Sequence, residues 1–107
     1  MKVLFDQGTP VPLRRSLPDH TISTAFELGW STLANGELLT AAEAAGFDVL
    51  VTTDRNIRHQ QNLTGRRLGA LVLPTTDWAT IRRHVAAVAA ALAGIRPGEV
   101  VELTFDG

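Results

Sequence analysis

Asp48-Val-Leu-Val-Thr-Thr-Asp54 is the stretch from which the rest of the chain can be read. Between its two acids lies a continuous β-branched and apolar run, the pattern of a strand buried on both faces inside a parallel sheet with helices above and below. Asp54 leaves that strand at its carboxyl end and is followed at once by Arg55 and Asn56. In open α/β sheets, ligands sit in the crevice outside the carboxyl ends of the strands. A second run of the same kind, Lys2-Val-Leu-Phe5, ends on Asp6. Two carboxylates are therefore expected at one edge of one sheet. Each would also serve as a simple cap for the element that follows it.

Outward from these strands, the remaining elements fall into order. Thr9-Pro10-Val-Pro12 reads as a helix start capped by Thr9, with Pro10 at the first helical position and Pro18 as the stop. His20 to Thr24 is rich in β-formers and reads as a strand. Ala25 to Ala34 has no clean period and reads as a loop in which Trp30 packs. Asn35 caps a helix whose apolar face is Leu38, Leu39, Ala42 and Ala45, closed by Gly46. Asn56 to Leu63 suggests a short helix, and Gly69 to Leu73 a buried strand. Ala79 to Ala93 predicts the longest helix, with Asp77 as its N-cap and Ile81, Val85, Val88, Ala89 and Leu92 on one face. Val100 to Phe105 alternates as an edge strand does. The alternation of strand and helix predicts a single domain over 1–107, a three-layer α/β/α sandwich around a mostly parallel sheet of about five strands.

Composition narrows the class. With 45% hydrophobic and 20% charged residues, and no apolar run of membrane-spanning length, the chain reads as soluble and globular. An acid at position 6 interrupts the N-terminus too early for a signal peptide, so a cytoplasmic protein is expected. There is no cysteine, which excludes disulfides, thiolate nucleophiles and Cys-ligated zinc. A metal would have to be held by oxygen or histidine. The net charge of −1 argues against a uniformly basic nucleic-acid binder. Locally, Arg55, Arg58, Arg66 and Arg67 follow Asp54 with no acid between them, either as a solvated surface or as a strip for a nucleic-acid backbone.

Asp6, Asp54 and Glu37 are the candidate ligands of a magnesium or manganese ion, hard cations that take carboxylate and water oxygens. Such an ion can stabilise charge on a phosphodiester and supply hydroxide near neutral pH. Glu37 is equally suited to the first turn of its helix, where the dipole favours an acid. Gln7, Thr9, Asn56 and Gln60 are placed to hold water or substrate near the acids, or to serve only as turn and capping residues. His59 could act as a general base or be a plain surface histidine. His20 and His84 carry no functional expectation.

Val-Leu-Phe-Asp6, Asn35-Gly-Glu37-Leu-Leu and Val-Leu-Val-Thr-Thr-Asp54-Arg-Asn56 together resemble the short, stand-alone PIN-like proteins. The resemblance covers essentially the whole chain and is carried by the order and spacing of its three acidic motifs. It implies a metal-dependent ribonuclease acting on single-stranded RNA, with Asp6, Glu37 and Asp54 around Mg2+ or Mn2+. It further implies the toxin of a toxin-antitoxin pair, an antitoxin partner and a homodimer. Gln7 and Asn56 stand where relatives often carry further carboxylates, which should weaken a second metal position. The alternative is a catalytically weak or inactive PIN-like module that binds a protein or RNA partner. A phosphate-accepting receiver domain fits the fold pattern less well, because Lys2 is the only lysine and paired early acids are missing.

Overall fold

Runs of aliphatic and β-branched residues form the strands, and helices cover both of their faces. The computed structural model describes residues 1–105. Its strands are β1 (Lys2–Phe5), β2 (Thr21–Thr24), β3 (Val49–Thr52), β4 (Gly69–Val72) and β5 (Val100–Glu102). They make one five-stranded sheet in the order β2-β1-β3-β4-β5. Every pairing in it is parallel. The sheet expected to be mostly parallel is wholly so.

Alternation along each strand divides the core in two. Val3, Phe5, Val49, Val51 and Leu71 point to one face, where they meet Leu13 of a 3₁₀ helix (Val11–Ser16), Ile81 of α3 (Trp78–Arg82), and Val88 and Leu92 of α4 (Val85–Gly94). Leu4, Leu50, Ala70 and Val72 point to the other face, against Leu38, Leu39 and Ala42 of α1 (Asn35–Ala44) and Ile57 of α2 (Ile57–Gln60). The result is a three-layer α/β/α sandwich. Each fully buried leucine in it contributes about 2 kcal/mol through removal of its side chain from water. Trp30 packs as expected, its ring edge-on to Phe47 at 6.2 Å. Gly46, at φ 83°, closes α1 in a conformation that side chains avoid.

Three local expectations are corrected. The segment after β1 is a 3₁₀ helix rather than an α-helix, with Pro10 rather than Thr9 at its N-cap position. It is short, carries Pro12 inside it, and is cut off before Pro18. Asn35 is the first residue of α1, not its cap, and Ala34 occupies the cap position. The helix predicted over Ala79 to Ala93 is two helices. The N–H groups of Arg83 and His84 bond to the carbonyls of Thr80 and Ile81 at 3.2 and 2.8 Å, the i→i−3 spacing that tightens a helix end. His84 then leaves helical geometry, at φ −124° and ψ 23°, with its ring stacked on Phe105 at 4.3 Å. Among the described residues no helix is long and apolar enough to cross a membrane.

Candidate active site

The strand order reverses direction between β1 and β3. From β1 the chain crosses to β2 on one side, while β3, β4 and β5 build out on the other. Such a switch point opens a crevice at the carboxyl ends of the two strands. The register pairs Phe5 with Val51, and the Asp6 N–H donates to the Val51 carbonyl at 3.0 Å. Asp6 and Asp54 therefore leave adjacent strands on either side of the crevice, as expected.

Asp6 is half-buried and well supplied with donors. Its Oδ1 accepts from the Gly8 N–H and from Thr9 Oγ1, both at 3.1 Å. Its Oδ2 accepts a short hydrogen bond from Thr52 Oγ1. Thr52 is fully buried, and its oxygen also accepts from the Asp54 N–H at 3.1 Å, so one hydroxyl links the two acids. Burial pushes the Asp6 carboxyl above its ordinary value. The bonds from Thr52, Thr9 and Gly8 oppose that rise, and the charge of Asp54 adds a smaller push upward. The buried Thr9 hydroxyl also lies 2.9 Å from the Val51 carbonyl. It has one proton for two acceptors, so a proton on Asp6 would settle the network: Asp6 donates to Thr9, and Thr9 to Val51.

Asp54 is held by its own loop and by α1. Its Oδ1 accepts from the Asn56 N–H at 2.9 Å, and its Oδ2 from Asn35 Nδ2 at 2.7 Å. The same Asn35 amide donates to Gln60 Oε1 at 3.1 Å. Asn35 thus joins α1, the β3–α2 loop and α2 around one carboxylate. The sequence reading missed it because asparagine at a helix start is the usual sign of a cap. Glu37 does the capping: exposed on the first turn, its Oε1 accepts from the Ala34 N–H at 3.1 Å. The expected trio of ligands is therefore not gathered. Among the described residues, no group of three or more His, Cys, Asp or Glu side chains is placed to hold a metal ion. What the switch point brings together is a pair, Asp6 and Asp54.

The supporting residues divide in the same way. Gln60 joins the Asp54 network through Asn35, and Thr9 joins that of Asp6. Asn56 contributes its backbone N–H, while Gln7 is exposed at the rim. Two of the four arginines are already matched with acids remote in sequence. Arg58 lies 3.5 Å from Glu102 and donates to the Val100 carbonyl at 2.8 Å, and Arg66 lies 3.4 Å from Glu43. Arg55 is exposed and donates to the Pro74 carbonyl at 2.6 Å, and Arg67 is exposed. Two of the four arginines that follow Asp54 thus face acids of their own. His59 is exposed on α2.

Asp6 and Gln7 border two recesses. The larger, of about 280 Å³, runs from Asp6 and Thr9 past the Arg14–Glu27 ion pair to Val11 and Phe26. The smaller, of about 140 Å³, reaches toward Trp30 and Asn35. Comparison of the chain with protein-family models, with curated proteins and with solved structures returned no match.

Proposed function

We propose that this chain is a metal-dependent ribonuclease of PIN-like type that cleaves single-stranded RNA. The observation that supports it most is the pairing of Asp6 and Asp54 across the switch point, linked through the buried Thr52 hydroxyl. The donor set suits Mg2+ or Mn2+, since magnesium is commonly held by one or two carboxylates with water and substrate phosphate completing its shell. When bound, such an ion supplies charge stabilisation at the phosphodiester and a nucleophile near neutral pH. Asp6 and Asp54 would hold it. Thr52 and Asn35 keep the two carboxylates in position, and Thr9 donates a hydrogen bond to Asp6 when that carboxylate is charged. Arg55 and Arg67 are the arginines best placed in charge terms to meet the RNA backbone, because Arg58 and Arg66 face acids of their own. In its finer form the proposal is a toxin with an antitoxin partner, working in the cytoplasm as a homodimer.

Cleavage of a mixed-sequence single-stranded RNA in manganese tests the reading. Loss of cleavage with EDTA and in a folded Asp54→Asn variant is the expected result; undiminished cleavage by that variant would sink it. One observation favours a second reading, a non-catalytic module for a protein or RNA partner: both Asp54 oxygens already accept hydrogen bonds from the chain. A manganese-induced thermal shift that disappears in Asp6→Ala supports the enzyme, and no shift at millimolar metal supports the module.

A further inference from the structure

Phe26 is the most exposed large hydrophobic residue among those described, at 77%, and it lines the same recess as Asp6. An isolated exposed aromatic means little by itself. This one is held in place. The Ala25 N–H on one side of it donates to the Phe5 carbonyl at 2.8 Å, and the Trp30 N–H donates to the Ala25 carbonyl at 2.8 Å. On its other side, Glu27 and Thr24 exchange bonds: the Glu27 N–H donates to Thr24 Oγ1 at 3.1 Å, and the Thr24 N–H to Glu27 Oε1 at 2.9 Å. Arg14, from the 3₁₀ helix, clamps the same Glu27 with two guanidinium nitrogens, one of them at 3.3 Å from Oε2. The turn presenting the ring is thus tied to β1, to itself and to the 3₁₀ helix.

We propose that this recess is a nucleobase subsite, in which a base of single-stranded RNA stacks on Phe26 while its phosphodiester lies at the Asp6–Asp54 pair. The inference rests on the ribonuclease reading and names where part of its substrate sits. Three features favour a base over other occupants. The backbone that carries the ring is fixed before binding, so stacking has only the side-chain rotamer left to order. Arg14 and Glu27 neutralise each other within the wall, leaving a surface suited to an uncharged heteroaromatic ring. Asp6 is part of the lining, and the exposed Gln7 beside it offers both an amide donor and an acceptor for a base edge. Stacking of this kind tolerates any base and predicts weak sequence preference.

The test separates the subsite from the nuclease. On the Asp54→Asn background, which keeps RNA intact, the affinity for a short single-stranded RNA is compared with that for a ribose-phosphate oligomer of equal length without bases. Phe26→Ala should weaken RNA binding about tenfold. It should leave binding of the base-free oligomer unchanged, and Phe26→Trp should restore affinity. Equal RNA affinity in Phe26→Ala and its parent overturns the subsite, whether or not the unmutated protein cleaves RNA. If Phe26→Ala instead changes only the sedimentation behaviour of the free protein, the ring belongs to a protein interface and the proposal is likewise overturned. A chain that binds RNA through Phe26 but never cleaves it would retain the subsite and lose the nuclease.

Discussion

At the scale of single residues, Thr52 is the position on which the site turns. Its fully buried hydroxyl donates a hydrogen bond to Asp6 and accepts one from the Asp54 N–H. Thr52→Val keeps the shape and removes both bonds. It should destabilise the fold by about 2 kcal/mol at neutral pH, read by urea denaturation. It should also raise the Asp6 pKa further, because the Thr52 bond is the strongest influence holding it down. A carboxyl-carbon NMR titration checks this; an Asp6 that titrates identically in both proteins would contradict the geometry. The sign for stability follows. The folded state binds the Asp6 proton more tightly than the unfolded chain does, so ionising Asp6 opposes folding. Its contribution declines as pH rises from the ordinary value of 3.8 through the raised one. The same ionisation is what a cation would need, so binding a metal and stabilising the empty fold make opposite demands on this carboxyl.

Among the elements, α1 shows where sequence reading succeeded and where it stopped. Its extent and most of its buried face followed from Leu38, Leu39 and Ala42 at helical spacing, and its closure from Gly46, while Ala45, expected on that face, is exposed at the C-cap position. The roles within its first turn did not. Asn35 and Glu37 are both residues that cap helices, and only the folded chain shows that Glu37 caps while Asn35 reaches Asp54. Glu37→Ala should therefore cost about 1 kcal/mol of stability and leave manganese affinity intact by calorimetry. A lost metal site in that variant would return Glu37 to the ligands. The break between α3 and α4 was equally hidden, because Ile81, Val85, Val88 and Leu92 keep helical spacing straight across it. The His84–Phe105 stack at that break joins residues far apart in sequence. The acids that pair with Arg66 and Arg58 were hidden for the same reason: Glu43 and Glu102 are distant in the chain. The central strands β1, β3 and β4 were legible because a doubly buried strand writes itself as an uninterrupted apolar run, whereas the edge strand expected over Val100 to Phe105 ends at Glu102.

For the molecule as a whole, the two hydrophobic layers share one sheet, and neither can keep its packing if the other is lost. Trp30 packs in the layer with α1, and Trp78 in the layer with α3 and α4. Fluorescence melts of Trp30→Phe and Trp78→Phe, each leaving one reporter, should give coincident transitions. Separated midpoints would mean that the layers unfold independently. Leu39→Ala, on the Trp30 side, should lower stability by about 3 kcal/mol and shift the transition seen by Trp78 as well. The central position of β1 has a further consequence. The first strand of the chain lies between β2 and β3, with no hairpin anywhere in the sheet, and its pairing with β3 joins Val3 to Val49. That contact closes a long loop before anything rewards it, so refolding should be slower than in a helical protein of this size. On a growing chain, Asp6 emerges before the segment carrying Asp54, so the acidic pair cannot exist until synthesis has passed β3.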